Sequence, residues 1–143
     1  MSQENINVIQ RSKRAHNEGD IEGLVETAHP EIEIKLIGGF ADMVGGGRFT
    51  GHVGVRRFFT DWFATFETVR VDHEKFIETG ERVVTISRLK ATVEGSPVPV
   101  ELLTAIVWGF KEGKTIQWDS YYDPREGLEA VGLSEQDAHA DSS

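Results

Sequence analysis

The sequence predicts an α+β fold, with amphipathic helices first and a bent antiparallel sheet after them, the helices lying on one sheet face. Three observations predict it. Apolar residues recur at helical spacing in three segments before residue 67. From Val69 onward, long β-rich runs alternate with glycine-bearing turns. The length, 143 residues, suits a single domain, read here as 5–133, with a polar, acidic and disordered tail at 134–143.

The first helix is expected over 5–18, with Ile6, Ile9 and Lys13 or His16 along one side. Gly19 suits the left-handed position that ends a helix, and Asp20 suits the cap of the next. Ile21, Leu24, Val25 and Ala28 then form one apolar stripe, stopped by His29-Pro30 because proline pushes the preceding residue out of the α region. Glu31 to Leu36 alternates charged and apolar side chains, the pattern of a half-buried strand. Residues 38–47 hold five glycines and read as a loop without the Gly-Lys-Ser/Thr ending of a phosphate cradle. From Val55, the residues Phe58, Phe59, Trp62, Phe63 and Phe66 give the strongest helical stripe. Four strands follow, at 69–78, 82–93, 98–110 and 114–123, with turns at Thr79-Gly80-Glu81, Gly95-Ser96-Pro97 and Lys111-Glu112-Gly113. Pro124 fits the first turn of a short last helix.

Composition narrows the function. The 24 acidic and 15 basic side chains leave a net charge of −9, which argues against nucleic acid and anionic membranes as partners. With no cysteine there are no disulfides, thiolate metal sites or cysteine nucleophiles. No stretch reaches the ~18 apolar residues of a membrane span, and the polar start has no signal-peptide core. The expectation is a soluble, cytoplasmic domain with no cofactor and no metal.

Four segments carry a resemblance to a known group: Glu18 to Leu24, Thr50 to Phe58, Phe110 to Lys114, and Trp118 to Pro124. With them the chain resembles the nuclear transport factor 2-like superfamily, which includes ketosteroid isomerase, SnoaL-like polyketide cyclases and limonene epoxide hydrolase. The resemblance implies a cone-shaped, cystatin-like α+β barrel, a cavity between the concave sheet and the helices, opening near the glycine loop, and a homodimer formed by the outer sheet face. The run Leu102 to Trp108, apolar on both faces, is compatible with such a dimer.

Matched without gaps, the general-base, tyrosine and protonated-carboxyl positions of ketosteroid isomerase fall at Leu36, Ser12 and Ile106, so its acid–base groups are missing. The epoxide hydrolase set falls at Arg88, Lys90 and Ser120, which leaves the arginine but neither carboxylate. Strand alternation suggests a cavity lined by Ile34, Leu36, Phe59, Phe63, Ile106 and Trp118, with Arg88, Ser120 and Tyr122 as polar points. Arg88 and Tyr122 are the catalytic candidates, one to hold developing negative charge and one to relay a proton. The ligand expected is small, largely apolar or aromatic, and the reaction, if there is one, is isomerisation, cyclisation or dehydration. The alternatives are a ligand-binding protein without catalysis and a homodimeric association domain.

Plainer readings stand beside these. The aromatic stripe also fits core packing, and Arg88 also fits a structural pair with Glu33 or Glu101. Asp42 reads as solvated, Asp123 as a turn or helix-start residue, and His29, His52 and His73 as structural or exposed. His16 is a candidate for the cavity, not a member of it.

Overall fold

The computed structural model describes residues 3–43, 46–134 and 136, and the side chain of Met43 is outside that description. The elements run α1 (Gln3–Asn17), α2 (Ile21–Thr27), β1 (Ala28–Ile37), α3 (Phe40–Met43), β2 (Arg48–Thr50), α4 (Gly51–Thr65), β3 (Thr68–Thr79), β4 (Arg82–Thr92), β5 (Val100–Lys111), β6 (Lys114–Tyr121) and α5 (Pro124–Ala130). The expected tail falls almost wholly outside the described residues.

Local chemistry sets the boundaries. Asp20 caps α2 by accepting the Gly23 N–H at 3.0 Å. Asp123 does the same for α5 through the Arg125 N–H at 3.0 Å, with Pro124 in the first turn. The β5–β6 hairpin turns on Glu112 and Gly113, with φ of 55° and 77°, the paired left-handed conformation that matches strand twist. Within the stretch expected to be a loop, Phe40–Met43 form α3, and β2 follows the stretch.

The six strands form one curved, unclosed sheet in the order β2-β1-β6-β5-β4-β3. All neighbours are antiparallel except β1 and β6, which pair in parallel, so the sheet is mixed. The helices α1, α2 and α4 pack on its concave face. Leu24, Val55, Phe58 and Phe59 are buried with Ile32, Ile34, Leu36 and Leu89 of the sheet, and Ile9 of α1 packs with Val83, Ile106 and Trp108. Burying a residue such as Phe59 contributes about 2–3 kcal/mol by transfer from water.

The outer face is partly covered by the chain itself. Leu128 of α5, 2% exposed, packs with Ile77, Val84, Ile86, Ala105 and Val107, and Val131 and Leu133 add to that cluster. This answers much of the two-sided apolar pattern of β5, for which a partner copy is not needed at Ala105 and Val107. Leu103 stays 39% exposed.

Strand β3 contains a bulge. His73 pairs with Ser87, but the next ladder partner of Ile86 is Lys75, leaving Glu74 as the extra residue. The bulge resets the alternation, so that Val71, His73 and then Phe76 face inward, while Ile77 packs on the outer face.

Candidate functional site

Between α1, α4 and the concave sheet lies an interior cavity of about 50 Å³. It is much smaller than the ~300–1,000 Å³ typical of small-molecule sites. Aromatic rings take up the space. Phe58, Phe59 and Trp62 enter from α4, Phe40 from α3, Trp108 from β5 and Trp118 from β6. Trp108 and Trp118 lie 4.6 Å apart between ring centroids, and Phe59 meets Trp118 edge-on at 5.6 Å. A ring-sized ligand enters only if some of these side chains turn aside.

Two groups of polar atoms in the wall are fixed around its histidines. From α1, His16 is 5% exposed and its Nε2 lies 3.0 Å from the Trp62 indole nitrogen. An indole N–H only donates, so His16 Nε2 accepts and the ring proton sits on Nδ1. That proton is donated to Asn17 Oδ1 at 2.9 Å. Asn17 in turn clamps Val71, accepting from its N–H and donating to its carbonyl, both at 2.9 Å. Burial pushes the His16 pKa below the usual histidine value, against a smaller opposing effect of Asn17.

The second group runs along the strands. His73 Nδ1 lies 2.8 Å from Ser87 Oγ, and the Ser87 hydroxyl donates to Thr85 Oγ1 at 3.1 Å. Thr85 Oγ1 also accepts the Trp108 indole N–H at 2.9 Å. With the Ser87 proton committed to Thr85, His73 donates from Nδ1 and keeps a lone pair on Nε2. That nitrogen is buried and has no hydrogen-bond partner, although the residue as a whole keeps some exposure. Burial, helped by the nearby positive charge of Lys13, lowers the His73 pKa to about 3. Both imidazoles are therefore neutral near pH 7.

Five of the sequence candidates line the cavity: Leu36, Phe59, Ile106, Trp118 and Ser120. Ser120 Oγ accepts the Trp118 indole N–H at 2.9 Å. Phe63 stands behind this wall, its ring 5.4 Å from His16 and 5.8 Å from Phe59. Ile34 is fully buried beside a separate void of about 10 Å³.

Two candidates are corrected. Arg88 does not face the cavity. Leu89 takes the inward position on β4, so Arg88 points to the outer face, where its Nε lies 2.6 Å from Glu74 and its Nη1 3.0 Å from Glu101. The two carboxylates raise its pKa further. Of the two partners considered in the sequence, Glu101 is present and Glu33 is not; Glu33 instead meets Lys35 and Arg48. Tyr122 also lies outside the lining. Strand β6 ends at Tyr121, so the alternation no longer applies, and the Tyr122 ring packs over Gly38 and Gly39 and edge-on to Phe40 at 5.3 Å.

Sequence reasoning missed His73, Lys13, Thr104 and Trp108 as wall residues and left His16 open. The Ile9–Ser12–His16 spacing on α1 was a usable signal for His16. For His73 the usable signal was alternation with Val71, two residues earlier and ahead of the bulge at Glu74. Among the described residues, no three His, Cys, Asp or Glu side chains converge as a metal site. No described helix is long and apolar enough to cross a membrane.

A curved, unclosed mixed sheet wrapped around helices, with a cavity between them, defines the nuclear transport factor 2-like, ketosteroid isomerase-like class. Within that class the chain belongs to the SnoaL-like domain family, whose pattern matches residues 9–118. Among solved structures, TerC, co-crystallised with polyporic acid, is 25% identical, with a TM-score of 0.76 over 90% of this chain and 98% of that one. A nuclear transport factor 2-like protein of unknown function from Burkholderia pseudomallei is 23% identical, with a TM-score of 0.76, covering 93% of this chain and all of that one. A Mycobacterium tuberculosis protein in complex with estradiol-17beta-hemisuccinate is 18% identical, with a TM-score of 0.73 over 85% and 95% of the two chains, a likeness of fold. No curated protein matches the chain.

Proposed function

We propose that the protein binds a small, largely apolar ring compound in the interior cavity, contacting Leu36, Phe59, Ile106, Trp118 and Ser120. The observation that carries this reading is the make-up of the wall, where edge-on and tilted aromatic rings surround buried, neutral polar atoms, two of them, Ser12 Oγ and His73 Nε2, unpartnered. A plain core would close such a nitrogen off with a hydrogen bond. The similarity to TerC, co-crystallised with polyporic acid, supports the same class of ligand.

All three tryptophans, Trp62, Trp108 and Trp118, line the cavity, so their fluorescence reports on its contents. Titration with a panel of steroids, terpenoids and aromatic acids is expected to give saturable quenching by at least one class. A flat response across the panel refutes the reading and leaves an association domain with a filled core.

Turnover of a ring or enolisable carbonyl, by isomerisation, cyclisation or dehydration, is the second reading. The neutral imidazoles of His16 and His73 favour it, because a neutral imidazole can take a proton. Arg88 and Tyr122 have no part in it. A homodimer through the outer sheet face belongs to the same proposal, supported by the exposed Leu103 on β5, which pairs with the outward-facing Arg88. Sedimentation velocity tests it: a monomer at micromolar concentration refutes it. A cytoplasmic location is the remaining element, checked by cell fractionation.

A further inference from the structure

Two buried side-chain atoms of the cavity wall have no hydrogen-bond partner among the described residues, Ser12 Oγ and His73 Nε2, and the second is fixed in place. His73 Nε2 is out of contact with solvent, lacks a hydrogen bond, and belongs to a ring that lines the cavity. Its other nitrogen is held by Ser87, and Ser87 by Thr85, which is also tied to Trp108, so rotating the ring to satisfy Nε2 would break an existing bond. Ring contacts resist the rotation too, since Phe76 and Trp108 meet His73 edge-on at 5.8 and 5.9 Å. The lone pair is therefore fixed in direction. An acceptor left unmade in such a place costs ~1–3 kcal/mol.

Two groups of α1 share the same wall. Lys13 lines the cavity, is only half exposed, and shows no carboxylate partner among the described residues. Its charge is felt at His73. The Ser12 hydroxyl, one residue earlier, is buried and unpartnered. The wall thus offers a fixed acceptor, a cationic donor and a free hydroxyl, with no anionic side chain among the lining residues.

We propose that this trio recognises one hydroxyl group, a phenol or enol, on an otherwise apolar ring ligand. The ligand donates its hydrogen to His73 Nε2, and its oxygen accepts from the Lys13 ammonium, with Ser12 as the neighbouring adjustable hydroxyl. A hydroxyl is both donor and acceptor, and this wall needs one of each. An ether or a halogen lacks the donor that His73 requires. A carboxylate satisfies Lys13 but sets its negative charge against the lone pair of His73. The inference rests on the cavity being a ligand site and specifies the polar group that such a ligand carries.

Calorimetric titration with 2-naphthol, 2-fluoronaphthalene and 2-naphthoate tests it on the intact protein. The three probes share a ring system, and fluorine is no bulkier than hydroxyl. The expected result is that 2-naphthol binds about tenfold more tightly than either of the others, the worth of one well-placed hydrogen bond. In His73→Leu, with near-UV circular dichroism confirming the fold, the ratio of 2-naphthol to 2-fluoronaphthalene affinity falls to about one. Equal affinity of the naphthol and the fluoro compound for the unmodified protein overturns the proposal and leaves the ligand cavity standing, with a solvent molecule serving His73. Tighter binding of 2-naphthoate overturns it in favour of an anion site at Lys13. Failure of all three to bind removes the cavity reading and this inference with it.

Discussion

Lowering the pH from 8 to 5 is expected to destabilise the fold through His73 in particular. In the unfolded chain this histidine titrates near 6.5, whereas in the folded cavity its pKa is about 3. Below pH 6.5 the unfolded state takes up a proton that the folded state refuses. Stability is therefore complete above about 6.5 and falls as the pH drops toward 3. The groups that set the shift are identifiable. Burial comes first, Lys13 and His16 on α1 push the same way, and Asp72 on β3 opposes them weakly. At pH 5 the loss from this one group amounts to about 2 kcal/mol, a sizeable part of the ~5–15 kcal/mol that holds a domain together.

Urea denaturation at pH 8, 6.5, 5.5 and 5 measures it, with His73→Leu run beside the unmodified protein. The variant is expected to lose about 2 kcal/mol less than the parent between pH 8 and 5, whatever its stability at pH 8. Its remaining slope comes largely from His16, whose pKa is lowered by burial. Exposed carboxylates held by arginine, Glu22, Glu74 and Asp123, titrate below their ordinary values and so outside this window. Parallel curves for the two proteins would show that His73 is hydrated in solution, and the description of a dry, neutral imidazole would be wrong.

Other perturbations test other parts of the structure. Arg88→Met is expected to leave ligand affinity in the fluorescence titration unchanged, because the guanidinium sits on the outer face with Glu74 and Glu101; loss of binding would restore it to the site. Gly54→Ala should destabilise the protein in urea by about 1 kcal/mol. Alanine favours a helix by about as much, but a Cβ there would lie 2.9 Å from the backbone carbon of Phe49, which cannot move aside. Leu128→Ala, which strips the outer-face cluster of its α5 anchor, should cost about 2–5 kcal/mol in the same assay.

The sequence revealed element types well because each periodicity has a single physical cause. The stripe from Val55 to Phe66 could only be a buried helix face, and α4 buries Phe58, Phe59 and Trp62 as that requires. The helix caps at Asp20 and Asp123 were legible for the same local reason. Side-chain direction was harder. It depends on counting residues along a strand, and one inserted residue or one early strand end spoils the count. Glu74 is such an insertion, and it hides the inward course of Phe76 and the outward course of Ile77. Tyr122 fails through the early end of β6. Arg88 fails because alternation gives two faces and does not say which one is concave; Leu89 settles that only after the sheet has folded.

The resemblance to ketosteroid isomerase also gains a physical meaning. Leu36, Ser12 and Ile106, where that enzyme's acid–base groups would fall, all line the cavity. The matched positions thus share one interior space, while their side chains lack the carboxylates and the phenol. The polar chemistry of the wall is carried instead by His16 and Lys13 on α1 and by His73 on β3. His16 is fixed by hydrogen bonds to Trp62 and Asn17, and His73 through Ser87, Thr85 and Trp108. The opposite side, by contrast, holds Phe40 on a four-residue helix, packed edge-on to Trp62 and Tyr122 at 5.8 and 5.3 Å. Each such ring contact is worth only ~0.5–1.5 kcal/mol beyond area burial. On the proposed ligand reading, the side formed by α1 and β3 sets which functional group a ligand must carry. On the same reading the Phe40 side limits how large that ligand can be, because the room missing from a 50 Å³ cavity is most cheaply found at Phe40, whose ring packs on Trp62 and Tyr122.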